Sequence, residues 1–150
     1  MDQNSHARLA DFGLLTILSD PADPSISSSV STIGGTARWM SPELLDPDQF
    51  YPKDGRPTKE SDCYALGMVV YEVLGGGPPF ALLKTLTVIR KVVEGERPER
   101  PEGEEGSWFT DDVWQTLNMC WETQSVHRPS IGTVLECLER ASAAWESPSS

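Results

Sequence analysis

Few side chains in this sequence are placed to do chemistry. Asp11, in the run Asp11-Phe12-Gly13, sets a carboxylate just past a short alternating stretch, His6-Ala7-Arg8-Leu9-Ala10; alone it reads as a turn aspartate after a strand. Ser25, Ser27, Ser28, Ser29, Ser31 and Thr32 crowd hydroxyls into an aperiodic stretch from Leu14 to Thr36, and a loop that long inside a compact domain is either functional or disordered. Cys63, Cys120 and Cys137 each lie within an apolar helical pattern, where a free thiol behaves as a small hydrophobe. With no C-x-x-C pair and an odd count, they point to a reducing compartment rather than a disulfide framework. Gly75-Gly76-Gly77 runs into Pro78-Pro79, which makes it a helix stop and not a nucleotide loop.

The element around which the rest must be organised is the stretch from Glu60 to Leu74. At 3.6 residues per turn it has no polar face: Cys63, Ala65, Leu66, Met68, Val69, Val70, Tyr71, Val73 and Leu74 surround the axis, and Glu72 is the single charge after Asp62. A helix apolar all round is buried in protein or in a membrane, and its uninterrupted run is far short of the ~20 residues a bilayer requires. It therefore reads as the central pillar of a helical domain, packed on every side. Thr58 is its expected cap.

Leu82, Leu86, Ile89 and Val93 give the stripe of a second helix, ending at Gly95. Glu96 to Ser107 reads as a charged Pro/Gly linker. Thr110 caps a third helix, with Asp111 and Asp112 in its first turn, where the helix dipole favours carboxylates, and with Val113, Leu117, Cys120 and Trp121 as its buried stripe. Pro129 and Ser130 open a last helix whose expected stripe is Ile131, Val134, Leu135 and Leu138. The fold class is mainly α, with at most one short, unpaired strand at Ala7–Ala10.

The 150 residues are of single-domain length and carry a net charge of −11, from 23 acids against 12 bases. That balance argues against a nucleic-acid or anionic-membrane surface, both of which need clustered Lys and Arg. The polar, acidic start has no apolar signal segment, so the expected location is the cytoplasm or nucleus. Residues 1–6 are expected to fray, 7–144 to form the domain, and 145–150 to be a flexible tail.

Several motifs now occur in a telling order. Asp11-Phe12-Gly13, a Ser/Thr-rich loop, Gly35-Thr36 and Ser41-Pro42-Glu43 resemble the activation segment of a eukaryotic protein kinase, for which D-F-G and A-P-E are signatures. Ser61-Asp62-Cys63-Tyr64-Ala65-Leu66-Gly67 is similar to the start of that family's central hydrophobic helix, Pro78-Pro79-Phe80 to the turn after it, and Cys120-Trp121-Glu122 with His127-Arg128-Pro129 to its last block. The resemblance covers about residues 7–140. It implies the helical C-terminal lobe of the kinase fold with a long activation loop. Gly35-Thr36 before Glu43 is the serine/threonine pattern, whereas Arg38-Trp39-Met40 and Cys120-Trp121 resemble tyrosine kinases; the mixture resembles the tyrosine-kinase-like group. Ser41 stands where alanine is usual.

The resemblance also implies roles. Asp11 would hold the Mg²⁺ that bridges ATP phosphates, a metal usually bound by one or two carboxylates plus the phosphates themselves. Gly35 and Thr36 would flank the substrate pocket. Glu43 and Arg128 would form a buried ion pair pinning the activation segment to the helical lobe. Asp62 would tie down the catalytic loop, or serve the helix dipole alone, or both. Ser31 and Thr32 sit where kinases are phosphorylated, and Arg8 or Arg38 could pair with the added charge.

Of the parts among which kinases divide phosphoryl transfer, the sequence carries only Asp11. It has no Gly-rich phosphate loop, no V-A-I-K lysine or its glutamate partner, no H-R-D aspartate and no asparagine for a second metal; His127-Arg128-Pro129 offers no carboxylate. ATP and Mg²⁺ are thus the family's cofactors, but neither is expected to bind this chain well alone. Two readings follow. One is a partial domain of a family that phosphorylates protein Ser/Thr or Tyr, inactive by itself; the other is a non-catalytic binding module that presents its helices to a protein substrate or partner kinase. Apolar surface left bare is expected to drive association. Under activating conditions, phosphopeptide mass spectrometry is expected to find phosphate on Ser31 or Thr32, and a loop that stays unmodified would remove that role.

Overall fold

The computed structural model describes residues 36–50 and 55–145. Its helices are α1 (Pro42–Leu45), α2 (Lys59–Gly75), α3 (Thr85–Val93), α4 (Gly103–Gly106), α5 (Asp111–Cys120) and α6 (Ile131–Trp145), with a 3₁₀ turn at Ser125–His127. The described residues contain no strand, and the architecture is mainly helical, as expected of a kinase C-lobe. The strand expected at Ala7–Ala10 and the long loop to residue 35 lie outside the described residues, as does the tail beyond residue 145.

α2 starts and stops where its local chemistry dictates. The Thr58 hydroxyl accepts from the Ser61 N–H at 3.1 Å, and the Ser61 hydroxyl accepts from the Thr58 N–H at 2.8 Å. This reciprocal box satisfies two of the orphan donors at the helix start. At the other end Gly76 takes φ 70°, the left-handed conformation that only glycine adopts at little cost.

α5 crosses α2 and α6 packs on α5. Tyr71, Phe109, Trp114 and Trp121 close an aromatic ring at this junction, with successive centroids 5.5, 6.0, 5.8 and 6.0 Å apart. The pairs are tilted or edge-on, the arrangement that aromatic quadrupoles favour. The crossing is close because Gly67 has no side chain. A Cβ there would lie 2.7 Å from Trp121 Nε1 and 2.9 Å from Cys120 Cβ.

Four expectations from the sequence are corrected. The α2 pillar is not covered on every side: Ser61, Cys63, Tyr64, Gly67 and Met68 are buried, but Val69 and Val73 are 44% and 73% exposed. With Asp62 and Leu66 these two lie along one face of the helix, opposite the one that meets α5. On α3 the buried residues are Val88 and Val92, whereas Leu82 and Leu86 are 98% and 82% exposed. The turn before α3 is pinned elsewhere, as shown below, and presents the valines inward. On α6 the buried residues are Val134, Cys137 and Ala141, while Ile131 and Leu135 face solvent. Close packing on α5 selects the smaller side chains, and the Thr116 hydroxyl donates to Cys137 Sγ at 3.1 Å. The segment read as a linker, Glu96–Ser107, is also fastened: Arg100 donates to Asp111 and to the Phe109 carbonyl, and Tyr71 donates to the Glu99 carbonyl.

Gly67→Ala weighs two opposed effects. Alanine gains about 1 kcal/mol of helix propensity over glycine, but forcing a methyl group into this contact costs about 1–3 kcal/mol. Since the displaced groups are an indole and a helix side chain rather than a flexible tip, the clash wins. Urea unfolding of Gly67→Ala is expected to show a net loss of about 1–2 kcal/mol, and equal or higher stability would refute the close crossing.

Candidate functional site

The described chemistry centres on segment 36–45. It contains the run Ala37-Arg38-Trp39-Met40 and the short helix α1, and three of its side chains fasten it to the helical body. Glu43, on α1, is buried, and its carboxylate meets the guanidinium of Arg128 in a two-pronged pair: Nη1 to Oε1 at 2.6 Å and Nη2 to Oε2 at 2.8 Å. Both side chains are essentially sealed from solvent. Such a fork matches guanidinium to carboxylate geometry and is among the stronger polar contacts.

Arg128 is held in turn. Its Nε donates to the Glu122 carbonyl at 2.9 Å and its Nη1 also donates to the Glu60 carbonyl at 3.0 Å. Its Cζ stands 5.1 Å from the centroid of Tyr64, within cation–π range. Burial pushes the Glu43 carboxyl upward, but the Arg128 hydrogen bonds and charge outweigh it, and the pKa lies below the ordinary glutamate value.

Arg38 is the second fastener. It donates to the carbonyls of Pro79, at 3.0 Å, of Phe80 and of Leu83. These three acceptors belong to the turn before α3, in which Phe80 holds φ 53°, a conformation that is strained for a bulky residue. The guanidinium cross-links that turn in its strained form. Arg38 was expected to be available for a loop phosphate; instead its fork is committed to backbone oxygens. The third fastener is Trp39, whose indole Nε1 donates to Glu72 Oε2 at 2.9 Å, giving the lone charge of the α2 interior a partner.

The structure thus brings Glu43 and Arg128 together across 85 positions of sequence. Thr36 is exposed at the start of the segment, its carbonyl accepting from the Trp39 N–H at 3.0 Å. Asp62 lies in the first turn of α2, exposed, and shares a hollow of about 370 Å³ with Lys59, Glu60, Arg128 and Ser130. Asp11, Phe12, Gly13, Ser31, Thr32, Gly35 and Arg8 lie outside the described residues. Among the described residues no group of three or more His, Cys, Asp or Glu is gathered to hold a metal, so none of them is assigned to one. A larger cleft, of about 730 Å³, opens between Gly75–Gly77 and Pro98–Glu102; it contains none of the expected site residues. Arg38, Trp39 and Glu72 were not expected as partners, and only the arginine and tryptophan beside Glu43 could have hinted at them.

The family model described as protein tyrosine and serine/threonine kinase matches residues 1–138. The probable serine/threonine-protein kinase drkD of Dictyostelium discoideum is 30% identical over 93% of this chain, and receptor-interacting serine/threonine-protein kinase 3 of Rattus norvegicus is 34% identical over 87%. Serine/threonine-protein kinase mos of Patiria pectinifera is 32% identical over 93%. The chain spans 9%, 27% and 37% of those three proteins.

Removing one partner of a buried pair strands the other as an uncompensated charge, at a cost of about 3–5 kcal/mol. Glu43→Ala or Arg128→Met is expected to lose that much in urea unfolding. Replacing both, as Glu43→Leu with Arg128→Met, is expected to lose far less; a double variant as unstable as either single one would mean that the pair itself carries the stability. The pH dependence has a fixed sign. Because the folded pKa of Glu43 is lowered, the stability it contributes is complete above the ordinary glutamate pKa of about 4.5 and is lost as pH falls through the lower folded value. A Glu43→Gln protein is expected to lack that acid-side loss, which a stability-versus-pH series reads directly.

Proposed function

The chain belongs to the protein tyrosine and serine/threonine kinase family, and we propose that it forms the C-terminal helical lobe of a tyrosine-kinase-like serine/threonine kinase domain. Its role there is to hold the activation segment while other parts carry the nucleotide. The observation that carries this reading is the buried Glu43–Arg128 fork, supported by Arg38 and Trp39, which fastens segment 36–45 to α2, to the turn before α3 and to the chain after α5. Serine/threonine specificity rests on the relatives being serine/threonine-protein kinases and on Gly35-Thr36; the tyrosine-kinase-like assignment rests on Arg38-Trp39 and Cys120-Trp121. Asp11 is the proposed Mg²⁺ carboxylate, Thr36 the proposed substrate-side residue, and Asp62 the proposed anchor for a catalytic loop. ATP and Mg²⁺ would supply the transferred phosphoryl group and its charge neutralisation; these residues lack the lysine and the catalytic aspartate that such a transfer uses.

A second reading is favoured by a specific observation. Val69 and Val73 on α2, Leu82 in the turn before α3 and Leu86 in its first turn leave large apolar side chains bare, and such surface marks an interaction site. The chain would then act as a binding module on a protein substrate or partner kinase in the cytoplasm.

Both readings expect no phosphoryl transfer from the chain alone; they divide on association. Incubated with labelled ATP, Mg²⁺ and casein, the purified chain is expected to transfer no phosphate. Incorporation that co-elutes with the chain through successive columns would overturn the proposal of inactivity alone. In sedimentation, the chain is expected to self-associate or aggregate with rising concentration, and Leu82→Glu with Leu86→Glu to reduce this; a monomer with a sharp reversible thermal transition would sink the second reading.

A further inference from the structure

The ring that Arg128 faces carries a second cation. Tyr64 of α2 is fully buried, and its hydroxyl has no hydrogen-bond partner among the described residues. Its ring is therefore held by its faces and edges, not by its polar end. Arg128 Cζ lies 5.1 Å from the Tyr64 centroid and Arg97 Cζ lies 5.4 Å from it. Two guanidiniums on one ring repel each other unless each is otherwise neutralised. Arg128 has the Glu43 carboxylate. Among the described residues Arg97 has no carboxylate partner, and it is solvated by oxygen dipoles: Nε donates to the Trp121 carbonyl at 2.7 Å, Nη1 to the Val92 and Glu96 carbonyls at 3.1 and 2.8 Å, and Nη2 to Thr123 Oγ1 at 3.1 Å.

Two of those acceptors are helix-end carbonyls. Val92 is next to last in α3 and Trp121 caps α5, where the last carbonyls lack intrahelical donors and attract a cation. One side chain thereby gathers the ends of two helices and leans on the ring against which Arg128 is set. A planar guanidinium can make all these contacts at once; a lysine ammonium cannot.

We propose that Arg97 is the positioning residue of the Glu43–Arg128 pair, acting through Tyr64, and that it couples the fastening of segment 36–45 to the C-terminal ends of α3 and α5. A displacement of either helix end would move Arg97, free the Tyr64 ring and loosen the seat of Arg128. The inference stands on this geometry and not on the kinase reading, so either can fail without the other.

A double-mutant cycle on the full chain tests it. Arg97→Gln and Glu43→Gln share no contact, yet their combined effect on the folding equilibrium constant, read in urea, is expected to depart from the product of the single effects by about fivefold or more. In the Tyr64→Leu background the departure is expected to shrink to within about twofold. Independent effects in the parent, or an undiminished departure in the Tyr64→Leu background, would overturn the proposal. If any of these variants fails to fold, hydrogen exchange on Arg97→Lys decides the matter. Amides of 37–45 exchanging about tenfold faster while those of α6 are unchanged supports it, and uniform or absent acceleration overturns it.

Discussion

The structure turns on one desolvated ion pair. Taking Glu43 and Arg128 out of water costs several kcal/mol per charge, and their attraction offsets this only with good geometry and with additional hydrogen bonds to the remaining donors. The surroundings supply those conditions. The carboxylate receives both prongs of the fork, and the guanidinium directs two further donors to the carbonyls of Glu122 and Glu60. The Glu60 carbonyl lies in the first turn of α2, just past the Thr58 cap, and Glu122 directly follows Trp121, the C-cap of α5. The pair can therefore form only when the start of α2, the end of α5 and α1 have all reached their places. It reports the tertiary arrangement more than it creates stability.

That distinction separates the two kinds of adhesion in this chain. The contact between α2 and α5 is apolar and shape-driven, built on Gly67 and the Tyr71–Phe109–Trp114–Trp121 ring. The contact between segment 36–45 and the rest is polar: an arginine fork on three turn carbonyls, an indole on Glu72, and the Glu43 pair. Apolar packing tolerates small shifts at gradual cost. A fork at 2.6 and 2.8 Å does not, because its strength falls steeply with angle and distance. Polar fastening gives a segment one seat, and it makes that seat sensitive to small displacements at either end.

How much of this was legible depends on the range of the interaction. The caps at Thr58 and Thr110 and the stop at Gly76 were readable because each is settled within three or four residues. The α5 stripe was readable too, since Val113, Leu117, Cys120 and Trp121 are its apolar residues with the right period. The stripes of α3 and α6 were misread because several apolar sets share the helical period. Which set turns inward is fixed by neighbours: Arg38 on the turn before α3, and the close approach of α5 for α6. Pattern counting favoured leucine and isoleucine, while the packed surfaces took Val88, Val92, Cys137 and Ala141. Arg97 was lost in a charged stretch because a side chain that binds carbonyls leaves no periodic trace. The pairing of Glu43 with Arg128, 85 positions apart, has no local signature, and only likeness to a family suggested it.

The face of α2 that bears Asp62, Leu66, Val69 and Val73 follows from the same reasoning. A helix apolar around its whole circumference is selected for contact on its whole circumference, since one face would suffice if only α5 and α1 had to be met. The described residues cover the Tyr64–Met68–Tyr71 side and leave Val69 and Val73 exposed. Two exposed β-branched residues one turn apart, with a carboxylate at the end of their row, are more apolar area than helix formation alone calls for, because valine is a poor helix former. Their presence is a cost to the isolated helix that only further packing offsets. The sequence of α2 is thus written for more contact than the described helices provide, and the polar fastening of segment 36–45 is the part of that contact the described residues complete.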